Sequence, residues 1–389
     1  MSWPTVRIKD VAEVINGRAY KKHEMLAEGK YPLMRVGNFF SNRSWYFSDL
    51  ELPDKQYCDT GDLLYAWSAS FGPRIWDGGK VIYHYHIWKL VLDESLVDKN
   101  YLFYVLQNDV DKIKQQQGTG STMIHVTKVS MENREIPLPP LETQKQIAEV
   151  LEKADQLRKD CQQMEQELNS LAQSVFIELF GDPVTNPKGW DVKPLSCLLS
   201  QPLQNGAYYP KEDYSDDGVE MVHMGDVFYD FIPRGGMKRV NASKKDIEKY
   251  KLTSNDLLIS RRSLMLEGAA KPSLIEESSE DLIFESSMIR LTPNNKILNV
   301  MYLFYYLSNP IVKQHFIYQY ITGATIKGIN QSNLEKVEVL VPDYKMQEDF
   351  LIIEQKIRNQ KNDLLNLVKE YEDNYNALMQ KAFKGELNL

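Results

Sequence analysis

The chain has 389 residues, 43% of them hydrophobic and 26% charged, with a formal net charge of −8. That length is large for one hydrophobic core and predicts at least two domains, while the acidic balance argues against a free, non-specific nucleic-acid binder, whose footprint is usually basic. No apolar run is long enough to cross a bilayer, the opening MSWPTVRIKD is not a signal peptide, and Cys58, Cys161 and Cys197 lie too far apart for a metal spacing, all of which predicts reduced thiols and a cytoplasmic protein without a membrane partner.

In chain order, a globular segment over 1–140 opens on Trp3. Its apolar runs are short and rich in Val, Ile, Tyr and Phe, so LLYAWSA from Leu63 and KVIYHYHIWKLVL from Lys80 read as strands. His84 and His86 would share one face of such a strand, and with no carboxylate or thiol close in sequence the better reading is a half-buried strand, not a metal site. Tyr101 to Lys114 reads as a helix, followed by an exposed polar loop, QQQGTGSTMIH, of the kind a rigid scaffold delivers.

A long helix is predicted over 141–181. Pro139 and Pro140 keep helix from forming upstream, Thr143 and Gln146 have the spacing of a capping box, and Gly181 stands where a left-handed cap would end it. The apolar positions Ile147, Val150, Ala154, Leu157, Cys161, Met164, Leu168, Leu171 and Val175 repeat with spacing 3,4, the seam of a coiled coil. At 1.5 Å per residue the helix would be roughly 55 Å long.

The second globular segment, 182–342, opens on Trp190, carries the strands DLLISRR and DLIFESSMIRLT, a helix from Met301 to Phe316, and the exposed loop YQYITGATIKG. The last segment, 343–389, repeats the seam at Phe350, Ile353, Ile357, Gln360, Leu364, Leu367, Tyr371, Asn374 and Leu378, and Gly385 ends it. Two helices of matched length predict an antiparallel pair, with Gln360 and Asn374 as polar seam positions that fix register.

The globular segments are two copies of one unit. YPLMRVGNFF at 31–40 parallels VEMVHMGDVF at 219–228, GDLLYAWS from Gly61 parallels NDLLISRR from Asn255, YLFYVL from Tyr101 parallels YLFYYL from Tyr302, and Gly17 is echoed by Gly206. The predicted class is therefore α+β, with two tandem α/β domains, each followed by a long helix.

Independent catalysis has little support. There is no Walker A loop, GxGxxG, HExxH or GxSxG, and no acidic-Pro-Pro-aromatic tetrad. Nucleic-acid reading needs polar and basic side chains on loops that reach a groove. The first copy offers Arg74, Lys80, Gln116, Thr119, Ser121, Thr122 and Lys128; the second offers Arg261, Arg262, Lys271, Thr322, Thr325, Lys327 and Asn330. Arg261 and Arg262, directly after a strand, are the most pointed pair; their bland alternative is a surface ion pair with Glu267 or Asp256. Asn38 and Asp226 share one slot after a glycine and read as turn residues, although Asn suits adenine.

The segment IPLPPLETQKQIAEVLEKAD, followed by LFGDP, with duplicated domains and a matching C-terminal helix, resembles the specificity subunit of Type I restriction–modification enzymes over essentially the whole chain. The resemblance implies target recognition domains that each read one half of a split, asymmetric site in double-stranded DNA, and spacer helices that set their separation. It implies a chain with no catalysis and no cofactor of its own, assembled with two methyltransferase subunits, which use S-adenosylmethionine to methylate adenine N6. Two restriction subunits using ATP and Mg would complete a phage-defence complex. Base-contacting residues differ widely within such a family, so the candidates above rest on loop position and chemistry alone. Two other classes compete: a coiled-coil scaffold whose domains bind protein, and an enzyme with an unrecognised site.

Overall fold

A computed structural model describes residues 3–41, 43–68, 71–116 and 126–387. The chain divides into two compact units: unit 1 is Met1–Gln163 with Leu365–Leu389, and unit 2 is Met164–Leu364. Both long helices contribute to both units. The central helix runs from Leu141 to Phe180 and the C-terminal helix from Tyr344 to Lys384.

Unit 1 is built on two four-stranded sheets. One orders Ala12–Asn16, Ile87–Leu92, Leu63–Ala66 and Gly72–Ile75; the other orders Tyr46–Ser48, Tyr31–Met34, Val81–Tyr83 and Tyr57–Cys58. Among the described strands of these two sheets, the pairings are antiparallel except Leu33–Met34 with Ile82–Tyr83. Unit 2 repeats the plan: Leu257–Ser260 lies between Met288–Leu291 and Pro272–Leu274, and Glu220–Val222 pairs parallel with Leu282–Phe284. In each unit the first strand after the opening Trp pairs with the strand leading into a long helix, Thr5–Arg7 with Glu135–Pro137 and Asp191–Pro194 with Glu338–Val341.

The duplication extends to individual buried contacts. Trp3 Nε1 donates to the Ala382 carbonyl at 2.8 Å, and Trp190 Nε1 donates to the Phe180 carbonyl at 2.9 Å, so each Trp pins the last turn of a long helix. Gln144, fully buried, accepts from the Asp98 amide and donates to the Leu96 and Pro139 carbonyls. Gln347 makes the same three bonds with the Asn299 amide and the Ile297 and Pro342 carbonyls. Gly17 and Gly206 are needed for close approach: a Cβ at either would lie within about 2.4 Å of a neighbouring carbonyl oxygen, that of His84 or of Phe284.

Each core takes in the two long helices. Ile147, Ala148 and Leu151 from the central helix share the main core of unit 1 with Tyr375, Met379 and Ala382. Phe176 and Phe180 share that of unit 2 with Phe350. Both helices end on left-handed glycines, Gly181 at φ 82° and Gly385 at φ 76°.

Four expectations are corrected. The central helix begins at Leu141, directly after Pro140, so Thr143 lies inside the first turn and is not its cap. The predicted seam is right at alternate positions and displaced by one at the others. Ile147, Cys161, Phe350, Ile357 and Leu364 are buried, with Ala154, Leu168, Val175, Tyr371 and Leu378 half-buried, but Leu157, Met164, Leu171 and Leu367 are exposed and Val150 and Ile353 only half-buried. Leu151, Asp155, Ala172, Glu354 and Tyr375 are buried in place of their neighbours, and Gln360 and Asn374 face solvent. A 3,4 and a 4,3 spacing are equally compatible with a 3.5-residue repeat. The true face was hidden because it carries Asp155, paired with Arg158 at 2.7 Å, and Glu354, paired with Arg358 at 3.3 Å.

His84 and His86 do not lie on one strand: the run is broken by a turn over 84–86, closed by the Ile87 amide donating to the His84 carbonyl at 2.9 Å. The helix expected over Met301–Phe316 stops at Ser308, because Pro310 lacks an amide proton and Asn309 caps a new turn by accepting from the Ile311 amide; a π-helical turn follows at Lys313–Ile317. No helix of the described residues is long and apolar enough to cross a membrane.

Candidate nucleic-acid interface

In unit 2 the backbone leaves the strand Leu257–Ser260 and immediately forms a two-stranded ribbon, Arg262–Ser263 against Lys327–Gly328. The Ile329 amide donates to the Arg261 carbonyl at 3.1 Å, and Thr322 and Gly328 exchange two amide–carbonyl bonds, so residues 322–328 form a closed loop. Gly323, at φ 106°, makes that loop possible: a Cβ there would sit 1.9 Å from the Ile326 carbonyl oxygen.

Five of the seven second-copy candidates come together here. Arg261, Arg262, Thr322, Lys327 and Asn330 line one shallow cleft of about 330 Å³. Among the described residues that line it, three are cationic and none is acidic. Neither ion pair of the bland alternative forms: Asp256 is buried and accepts from Thr253 and Thr292, and among the described residues no carboxylate bridges Arg261 or Arg262. Arg261 Nη1 donates to the Ser286 carbonyl at 3.5 Å and Lys327 Nζ to the Gly323 carbonyl at 2.9 Å. Asn330 is held as a helix cap, its Oδ1 accepting from the Asn333 amide. Thr325 is exposed on the loop but does not line the cleft. Lys271 stands apart, donating to the Phe228 carbonyl, and burial holds its ammonium below the usual lysine range.

The matching slot in unit 1 has the same backbone and different chemistry. The Trp67 amide donates to the His86 carbonyl as the Arg261 amide does to that of Ser287, and the Val126 amide donates to the Trp67 carbonyl as Ile329 does to Arg261. Trp67 therefore occupies the place of Arg261. It stacks on Trp88 at 6.0 Å, meets the His86 ring edge-on at 5.0 Å, and its Nε1 donates to the Tyr85 carbonyl. Trp67, Tyr85, Trp88 and Lys128, with Asn16 and Thr127, line a cleft of about 520 Å³. Burial, then the charges of His86 and Arg35, push His84 down to about 4, so it is neutral near pH 7.

Of the first-copy candidates, Lys128 lies in this cleft, with Glu132 3.5 Å away. Arg74 and Lys80 do not. Arg74 donates to the Phe39 carbonyl and pairs with Asp77 at 3.0 Å; Lys80 sits over the Tyr57 ring at 4.6 Å. Thr119, Ser121 and Thr122 lie outside the described residues, as does the side chain of Gln116. Asn38 and Asp226 are turn residues: Asn38 Oδ1 accepts from the Arg35 amide and Asp226 Oδ2 from the His223 amide. Sequence reasoning missed Trp67, Tyr85 and Trp88, although aligning the two copies places Trp67 on Arg261.

The sequence model of the Type I restriction modification DNA specificity domain matches residues 1–170 and again residues 187–370. The chain belongs to this specificity-subunit family. It is 23% identical to the Type I restriction enzyme EcoBI specificity subunit of Escherichia coli, over 99% of this chain and 86% of that one. It is 25% identical to the MjaVIII specificity subunit of Methanocaldococcus jannaschii, over 89% and 84%. Two solved structures share the specificity-subunit fold. One, from work on complex assembly and conformational transition of the type I R-M system, aligns with a TM-score of 0.58 at 18% identity, covering 99% of this chain and 98% of that one. The other, a Type I S subunit from M. genitalium, aligns with a TM-score of 0.56 at 14% identity, covering 98% and 96%.

Proposed function

We propose that this specificity subunit reads a bipartite, asymmetric sequence in double-stranded DNA, one half through the cleft of Trp67 and Lys128 and the other through the cleft of Arg261 and Arg262. The observation that carries this reading is one slot on one duplicated scaffold, filled once by aromatic and once by cationic side chains. Two unlike readers on like frames fit a target whose halves differ.

The rest of the assignment is the partner set. The subunit has no catalysis of its own and positions two methyltransferase subunits, which supply S-adenosylmethionine chemistry on adenine N6, and two restriction subunits, which use ATP and Mg. The two long helices pair antiparallel and set the unread spacer. In support, the start of one helix shares a core with the end of the other within each unit. Met164 and Leu171, exposed seven residues apart on the part of the central helix that belongs to unit 2, offer apolar surface for the partner subunits. The acidic net charge of −8 suits a reader whose partners supply much of the phosphate contact.

The test is co-expression with a cognate methyltransferase subunit in a methylation-free host, followed by mapping of N6-methyladenine. A single split motif methylated in both halves is expected. A stable complex that leaves the DNA unmethylated would overturn the reading.

A further inference from the structure

We infer that Arg262 is the side chain with which the second domain selects a guanine, from the major groove, in its half-site. The inference rests on the DNA-reading function proposed above and adds the residue and the base.

Three cations line the cleft, and their employment differs. Arg261 and Lys327 each donate to a backbone carbonyl of the domain itself, Ser286 and Gly323, which ties them to the scaffold. The Arg262 guanidinium is exposed and makes no hydrogen bond or ion pair among the described residues. Its register partner across the ribbon is Gly328, where a Cβ would stand 3.7 Å from Arg262 Cγ, so the side chain opposite contributes no bulk over the arginine stem. A planar fork of donors on a short, hydrogen-bonded ribbon matches the O6 and N7 acceptors that guanine presents in the major groove, a groove wide enough to admit a two-stranded ribbon.

The residues around Arg262 argue for a base over a phosphate. Leu264 is 78% exposed, Met265 68% and Ile326 53%, flanking the ribbon on both strands. Apolar side chains so exposed gain nothing against phosphate oxygens, but they match thymine methyls and base edges inside a groove. The phosphate role falls to cations that the scaffold holds by a backbone carbonyl, as it does Arg261 and Lys327: Lys271 on Phe228 and Lys313 on Glu267. Lys313 Nζ donates to the Glu267 carbonyl at 3.2 Å, and burial and the charge of Lys271 lower its pKa.

The experiment uses the full chain co-expressed with its methyltransferase partner, mapping N6-methyladenine for the unaltered protein, Arg262→Ala, Arg262→Gln and Lys271→Ala. The unaltered protein is expected to demand a G·C pair at one position of one half-site. Arg262→Ala should lose about 10- to 100-fold discrimination at that position alone, and Arg262→Gln should move its preference towards A·T, because Gln pairs with adenine N6 and N7. The other half-site should not change. Lys271→Ala should lower methylation at all sites alike, the signature of a phosphate contact. The inference is overturned if Arg262→Ala keeps full discrimination, lowers all sites evenly as Lys271→Ala does, or relaxes a position that is A·T in the parent motif. A parent protein that yields no split motif would instead overturn the function on which it rests.

Discussion

Where the strand leaves the core sheet, the first domain carries Trp67 and the second Arg261, on backbones that make the same hydrogen bonds. Below that point the two domains agree down to single bonds: Trp3 with Trp190, Gln144 with Gln347, Tyr101 donating to the Pro137 carbonyl with Tyr302 donating to that of Leu340. Above it, one has stacked rings and the other cations that no carboxylate bridges among the described residues. The buried polar groups are the constrained ones, because each would be costly to leave without its partner. The exposed ends bear no such constraint, so a copied domain can change what it reads and keep how it folds.

The comparison can be broken most sharply where equivalent helix positions differ. Leu151 corresponds to Glu354, which is buried, faces Arg358 and accepts from the Tyr305 hydroxyl at 3.5 Å; burial raises its pKa. In unit 1 the place of Arg358 is taken by Asp155. Leu151→Glu therefore buries a carboxyl beside a carboxylate and should destabilise unit 1 by ~3–5 kcal/mol, read as a lower urea midpoint with hydrogen exchange locating the loss. Leu157→Asp, six residues on and 47% exposed, should stay within about 0.5 kcal/mol. Equal effects would mean that the buried face has been assigned wrongly.

Next in size, Gln144→Leu and Gln347→Leu each orphan one amide and two carbonyls. Each should cost about 3 kcal/mol, and the two losses should match within ~1 kcal/mol in denaturant titrations if the domains share one design. Trp3→Phe and Trp190→Phe remove one hydrogen bond at a helix end and should cost about 1 kcal/mol each, with faster amide exchange confined to the last turn of the C-terminal helix in the first case and of the central helix in the second.

A pH-dependent effect distinguishes the upper slots. His84 is held neutral by burial, with its pKa near 4 in the fold against 6.5 in the unfolded chain. The unfolded state then binds the extra proton, so this group's contribution is complete above pH 6.5 and falls as pH drops towards 4. Thermal melts of His84→Asn should show a shallower loss than the parent through that window, and Glu285, the counterpart in unit 2, provides no such histidine. Parallel curves would show that His84 titrates alike in both states.

Much of the frame is legible in the sequence because it is periodic. Short apolar runs, two long glycine-ended helices and a repeated order of motifs predict the two domains and their shared plan. The helix face was misread because heptads counted from alternate positions score alike, and Asp155 and Glu354 do not look like core residues. Turns inside apolar runs, such as 84–86, escape notice because they contain neither glycine nor proline. For the site, the second cleft was readable, since Arg261, Arg262 and the Thr322–Asn330 loop are polar and sit at element ends. The first was not, because Trp67 and Trp88 look like core until the fold brings them to one wall of a cleft.

The composition of unit 1 has a consequence for how the protein is made. Its core includes Tyr375, Met379 and Ala382, which leave the ribosome after the whole of unit 2, a single continuous stretch from Met164 to Leu364. The unit begun first is thus completed last. During synthesis its early residues wait with one side of their core uncovered, and the later-made unit can be folded before the earlier one is closed.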